Sequence, residues 1–359
     1  ARARLEQLHD ELRHGDRPVT PFHWEIEFPE VFDRDNPGFD CFVGNPPFMG
    51  GSKLSNTSGK AYVDLLQSFH PKSRGKSDII AYFFRNTFVF LRTQGALGLI
   101  STNTISQGDT RHSGLCPVLR DGGFIFNVQR RLRWPGNAAV VVSVVNILKP
   151  KNVESCIPKM DGVPVRRISA FLLAAGGDDD PSTLEQNGEL AFSGSNVNGK
   201  GFTLTEEERA SFILKDPKST SVIKPFLGGE EFNQDPRQEF SRYVISLEDF
   251  TLPEVQEHPH IYKHLYETVR AQRLESSSEQ RLRERWWLHS RPARELYLRC
   301  KALSRVLASA RLSKHLTFSF VRADYAFSDM LTVFPVDDNA FYAVVHAAVH
   351  AIWAPTVGS

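Results

Sequence analysis

Cysteine is scarce: Cys41, Cys116, Cys156 and Cys300 are the four in 359 residues. No two are spaced as Cys-x-x-Cys, which argues against a zinc knuckle and a disulfide framework. A reducing cytoplasm is the expected setting. Long apolar runs are missing too. The longest, residues 138–148, falls short of the ~20 residues a membrane-spanning helix needs, so no membrane partner is expected. The first residues, ARARLEQLHDELRHGDRP, hold no apolar stretch and do not form a signal peptide. They also lack an initiator Met, and the chain is expected to be a piece of a longer protein. Excess charge is absent: 43 Lys and Arg against 42 Asp and Glu leave +1. Any nucleic-acid surface must therefore be local. A Pro-Asp followed by Asp/Glu-x-Lys, the acidic metal site of a nuclease, is not found. GGDDDP (176–181) reads as a solvated acidic loop, and His346 and His350 read as helix-surface residues, so no metal is expected.

What is present is enough chain for two domains, with 41% hydrophobic residues and 26 Phe. A helix is expected over 3–14. PFHWEIEFPEVF (21–32) reads as strand and loop, FDCFV (39–43) as a short buried strand, and 49–60 as loop. Residues 77–95 form a helix pattern with Ala81, Phe84, Phe88 and Leu91 on one face, capped by Ser77 or Asp78 and ended by Gly95. Strands follow at 96–102, 124–130 and 139–148, with a weaker helix over 112–121. The last two strands are close enough for an antiparallel hairpin. This order describes the second half of an α/β sheet with an antiparallel edge. Residues 1–150 are read as this partial domain, 151–201 as a Gly-rich linker, and 202–359 as a second, mixed α+β domain. In that domain 204–214 is a helix with an acidic first turn, 243–247 a strand, and 260–313 mostly helical.

The informative stretch is FDCFVGNPPFMGG (39–51). A rigid turn at a strand end needs Gly and Pro but not Asn and Phe. Pro46 and Pro47 fix φ and remove two N–H donors, and Asn45 is pushed towards an extended conformation. The carboxyl ends of strands in an open α/β sheet are where ligands sit. An exocyclic amine on a nucleobase is a poor nucleophile because its lone pair is delocalised into the ring. Two rigid acceptors, the Asn45 side-chain oxygen and the Pro46 carbonyl, would hold its N–H groups and favour a tetrahedral nitrogen. Phe48 can stack on a base drawn out of the duplex. There is no Pro-Cys nucleophile, which argues against chemistry at cytosine C5.

GNPPF resembles motif IV of the S-adenosylmethionine-dependent amino-methyltransferases that act on adenine N6 in DNA. With FHWEIEFPEVF and DIIAYFFRNTFVFLRTQGALGLISTNTISQGDTR, it is similar to the methylase core of large bacterial restriction–modification and phage-defence enzymes of the MmeI and type IIG group. The resemblance implies a Rossmann-like class I methyltransferase sheet, S-adenosylmethionine as cofactor and double-stranded DNA as partner. It implies catalytic roles for Asn45, Pro46, Pro47 and Phe48, with Asn45 also beside the cofactor. Trp134, in RWPGNAAVVVSVV, stands where the family pattern has an aromatic-Pro-Gly, and is either a second clamp on the base or a hairpin core residue. Phe84 is either a wall for the cofactor adenine or a core residue. The family's glycine-rich cofactor loop precedes Asn-Pro-Pro, and the 44 residues before Asn45 contain none. A missing amino-terminal segment or a second chain is expected to supply it.

KPFLGGEEFNQDP, YVISL and the arginine-rich segment after them resemble the target-recognition domain of the same enzymes. Residues 281–314 carry ten Lys or Arg and two acids. That local basic excess is the footprint of phosphate contact. Arg281, Arg283, Arg285, Arg291 and Arg294 are the candidate phosphate ligands, with Trp286 and Trp287 resting on sugars or an unstacked base. Two alternatives stay open. One is a non-catalytic DNA-binding or assembly remnant, or a subunit of a split methyltransferase. The other is methylation of protein glutamine or RNA guanine.

Overall fold

Ala81, Phe84 and Phe88 do share a helical face, and that face covers a sheet. In the computed structural model all residues are described except 1, 15–17, 21, 135–139, 152–155, 183, 277–278 and 358–359. The chain divides into two units, residues 1–181 with 356–359, and residues 182–355.

In the first unit, α1 (Arg2–His14), α2 (Trp24–Glu27) and α3 (Pro29–Phe32) precede β1 (Phe39–Gly44). Then come α4 (Gly51–Ser58), α5 (Lys60–Phe69), α6 (Ile80–Phe90), β2 (Leu91–Thr102), α7 (Gly108–Ser113), α8 (Leu115–Arg120), β3 (Phe124–Arg133) and β4 (Val141–Leu148). Two short strands, β5 (Lys159–Met160) and β6 (Val163–Pro164), complete a sheet ordered β1-β2-β4-β3-β5-β6 among the described residues. β1 runs parallel to β2, and β4 is antiparallel to both β2 and β3. The expected half-sheet with its antiparallel hairpin is therefore present. Ile80, Phe84 and Phe88 pack with Leu97, Leu99, Val128, Val145 and Ile147 in its core.

Four local expectations change. In place of strand and loop, residues 24–32 form the two short helices α2 and α3, and Trp24, Phe28 and Phe32, every fourth residue, reach one aromatic cluster. Trp24 meets Phe42 edge-on at 5.8 Å, and Phe28 and Phe32 each meet Phe39 at 5.6 Å. The stretch 49–60 contains α4 because Leu54 buries against Val63, Ile79 and Tyr82, overriding polar propensity. The 77–95 helix stops at Phe90, since Leu91 already pairs with Phe39 in the sheet. β1 is not a buried strand: Cys41 is exposed and Val43 is 85% exposed.

The expected linker 151–201 is divided between the two units. Ile168, Ala170 and Leu172 join the first unit's core. The acidic loop that follows is exposed at Asp179 and Asp180, as expected, and is also paired with arginines. Arg111, itself buried, pairs with Asp180 and donates to the Asp178 carbonyl, and Arg167 pairs with Asp178. Arg74 reaches Asp180 at 3.1 Å and Arg120 reaches Asp179 at 2.8 Å.

In the second unit, β7 (Phe192–Ser193) pairs with β14 (Leu331–Phe334) of a sheet ordered β12-β11-β14-β7. Its other strands are β11 (Arg305–Ala310) and β12 (Ser319–Arg322). A second sheet joins β8 (Thr203–Leu204), β9 (Ile223–Leu227), β10 (Arg242–Ile245) and β13 (Ala326–Phe327). α9 (Glu206–Lys215) opens with a capping box, in which Thr205 and Glu208 exchange hydrogen bonds. α10 (Gly229–Gln234) follows β9, and α11 (Leu252–Gln256), α12 (Pro259–Leu265), α13 (Ala271–Ser276), α14 (Gln280–Glu284) and α15 (Arg294–Cys300) run up to β11. The helical expectation for 260–313 therefore fails at 305–310, where Val306, Leu307 and Ala308 are buried between two antiparallel partners. α16 (Asn339–His346) follows β14. Among the described residues no helix is long and apolar enough to cross a membrane.

Candidate active site and nucleic-acid interface

The strand directions decide what shares an edge. Because β1, β2 and β3 run one way and β4 the other, Asn45, Asn103, Trp134 and Val141 all lie at the carboxyl edge of the sheet. Asn45 follows β1 directly. It is exposed, and its side-chain amide has no protein hydrogen-bond partner among the described residues. Pro46 is half-buried and Pro47 exposed; Phe48 is half-buried, with part of its ring packed on the core. Met49 ends the loop. Its N–H donates to Asp78 Oδ1 at 3.0 Å, and its carbonyl accepts from the Ile79 N–H at 3.0 Å. Gly51 then passes close to the next segment, where a Cβ would stand 2.6 Å from Lys76 backbone atoms. Asp78 also accepts from the Ile80 N–H at 3.1 Å, so it bonds the first helical N–H of α6 and clamps the loop besides, although the N-cap position itself is Ile79 and makes no side-chain cap.

Trp134 is half-buried and its N–H donates to the Val140 carbonyl at 3.0 Å, closing the hairpin. In strand order it is three steps from β1, about 14 Å at the usual interstrand spacing. The sheet thus brings Asn45 and Trp134 to one edge without bringing Phe48 and Trp134 into contact. The adjoining Pro-Gly residues, 135–136, lie outside the described residues.

Phe84 does not line a ligand site. It is 0% exposed in the core, whereas Phe83, one position earlier on α6, is 36% exposed. A 100° step per residue separates the two rings, and of the two readings open for Phe84 the structure supports the core one. The outer edge of β1, opposite β2, has no strand partner among the described residues.

In the second unit the arginines and tryptophans part company. Trp286 and Trp287 are buried with Val244, Ile245, Val255 and Leu265. Trp287 Nε1 donates to the Phe250 carbonyl at 2.7 Å. They hold the segment to its domain and are not free to stack on a base. Arg281, Arg283, Arg285, Arg291 and Arg294 are exposed. Arg294 pairs with Asp249 at 3.2 Å and Arg281 donates to the Ser290 carbonyl. The guanidinium groups of Arg283, Arg285 and Arg291 have no protein partner among the described residues. Sequence reading missed Arg273, which lies buried behind this segment. It donates to the carbonyls of Trp286 at 2.9 Å and Leu288 at 2.6 Å, and burial lowers its pKa to about 10. Among the described residues no three His, Cys, Asp or Glu side chains gather as metal ligands.

Comparison with known proteins accords with this geometry. Residues 179–359 match the family model described as MmeI, target recognition domain, and residues 2–113 match that of the Eco57I restriction-modification methylase. A curated relative, DNA methyltransferase A of Bacillus subtilis (strain 168), is 25% identical over 253 residues, which is 63% of this chain and 28% of the relative. The solved structure of the Type IIL restriction-modification enzyme MmeI in complex with DNA superposes with a TM-score of 0.70 at 21% identity. That match covers 89% of this chain and 44% of the solved one, so the chain spans less than half the length of these relatives. The chain belongs to the MmeI family by its target recognition domain, residues 179–359, and carries ahead of it a segment, residues 2–113, that matches the Eco57I restriction-modification methylase.

Proposed function

We propose that this chain supplies the target-base half of the catalytic site and the DNA-reading domain of a site-specific adenine-N6 DNA methyltransferase of a restriction–modification or phage-defence system. The observation that carries the reading is the exposed amide of Asn45, without a hydrogen-bond partner among the described residues, at the carboxyl end of β1, on a loop stiffened by Pro46 and Pro47 and tied down at Met49. A flipped adenine presents two N–H groups. The Asn45 Oδ1 and the Pro46 carbonyl oxygen accept them, which localises the nitrogen lone pair on the side away from the acceptors. Preorganised acceptors of this kind act without reorganisation as charge develops on the amine. The free face of Phe48 stacks on the base, and the half-buried Trp134 on the same edge is the candidate for its far side.

S-adenosylmethionine supplies the methyl group in this reading. Of the two residues assigned to it, Phe84 is core and does not fit, so only Asn45 fits. The remaining cradle is assigned to polypeptide outside these 359 residues. The outer edge of β1, unpaired among the described residues, and its solvent-facing Val43 support this, because a parallel strand added there would extend the sheet beside Asn45. The exposed arginines of residues 281–294 support DNA backbone contact by the second unit.

The test is Asn45→Ala in the complete enzyme. Loss of one preorganised polar group predicts a fall of about 10²–10³-fold in the single-turnover rate of methyl transfer, with duplex binding retained. Full methylation by the variant refutes the reading.

A further inference from the structure

We infer that Asp78 is the residue that positions the Asn45–Phe48 loop for reaction, through the backbone of Met49. The inference rests on the reading of that loop as the amine-binding element. Pro46 and Pro47 carry no N–H, so the loop cannot be tethered through their amides. Beyond the end of β1, the tether the structure shows is Met49. It is held from both sides, with its N–H on Asp78 Oδ1 at 3.0 Å and its carbonyl on the Ile79 N–H at 3.0 Å. The carboxylate is itself fixed. It is 6% exposed, it accepts the Ile80 N–H at 3.1 Å, and the Asp78 N–H donates to Thr110 Oγ1 at 3.0 Å.

The geometry makes a short lever. Gly44 is registered against Leu99 in the sheet, and Met49 is registered against Asp78 at the start of α6. The four residues that would grip and stack the base are strung between those two points. Charge-assisted acceptance by a buried carboxylate is stronger than a neutral hydrogen bond. Losing it frees the carboxyl-terminal end of the loop while leaving β1 intact. Asp78 touches no substrate in this scheme, and its effect on catalysis passes through Met49.

The experiment uses the complete methylase, its duplex substrate and single-turnover methyl transfer, comparing Asp78→Ser, Asp78→Asn and Asn45→Ala with wild type. Serine keeps a short acceptor that caps α6 and does not reach Met49. Asparagine keeps a carbonyl oxygen in the aspartate position. In Asp78→Ser the rate constant is expected to fall about 10²-fold, the loss that follows displacement of a reacting group by about 1 Å, with unchanged amplitude. DNA affinity stays within about threefold, and Asp78→Asn recovers to within about fivefold of wild type, because the defect lies in the chemical step. A purely structural role lowers the amplitude and leaves the rate constant alone. That result, or a wild-type rate constant in Asp78→Ser, overturns the inference. If Asn45→Ala is inactive while Asp78→Ser is normal, only this inference falls. If Asn45→Ala methylates normally, the reading of the loop fails and the inference falls with it.

Discussion

Acidification should loosen the second unit through one imidazole. His289 is buried; its Nε2–H donates to the Ile245 carbonyl at 2.9 Å, and its ring meets Phe202 edge-on at 5.0 Å. Its Nδ1 is buried and has no partner among the described residues. The neutral ring is therefore satisfied only at Nε2, and a second proton on Nδ1 would have no acceptor. Burial lowers the pKa from 6.5 to about 4. The Ile245 hydrogen bond opposes the shift, and the nearby Arg273 and Lys224 add to it. The folded pKa lies below the unfolded one, so the unfolded chain binds more protons between these values. Stability from this group is complete above pH 6.5 and is lost as pH falls towards 4. Linkage gives a loss of about 1 kcal/mol between pH 7 and pH 5.5, rising to about 3 kcal/mol at pH 4.

His289→Gln isolates the effect, because the Gln amide still donates to Ile245 and does not titrate. The carboxylates that also protonate in acid are the same in both proteins. Calorimetric melting of wild type and variant across pH 7 to pH 5 is the assay. Between pH 7 and 5.5 the wild-type midpoint should drop about 2–4 °C further than that of the variant. Parallel midpoint curves would refute the argument and mean that the buried Nδ1 finds an acceptor on protonation.

Two further outcomes separate core from surface. Phe84→Ala should destabilise the first unit by about 3–5 kcal/mol in urea unfolding, while Phe83→Ala should cost under about 1 kcal/mol; equal costs would contradict the placement of the two rings. Joint replacement of Arg283, Arg285 and Arg291 by Ala in the complete enzyme should reduce the slope of log affinity against log salt for duplex DNA by up to about three. An unchanged slope measured by fluorescence anisotropy would mean that this face does not meet phosphates.

Local chemistry was readable where a residue's role depends on its immediate neighbours. The two prolines after an apolar strand stiffen the loop whatever the rest of the chain does, and Asn45 is exposed at the strand end as that pattern implies. The helix–strand–hairpin order followed from periodicity, and α9 with its acidic first turn from the run of glutamates at its start. Roles that depend on distant partners were not readable. Trp286 and Trp287 lie in an arginine-rich stretch that suggests a surface, yet they are buried because Phe250, Val255 and Leu265 close over them. The Asp178–Asp180 run has the composition of a solvated loop, and arginines 59, 69 and 106 residues earlier pair with it.

The sequence by itself determined that an amide and two prolines end a strand, because backbone sterics and missing N–H groups are properties of adjacent residues. Only the tertiary structure decided which aromatic faces out, that β1 is an unpaired edge among the described residues, and that Asp78 holds the loop from 29 positions away. The physical reason is that burial and hydrogen-bond satisfaction depend on which segments meet in space, and a linear pattern does not state who those partners are.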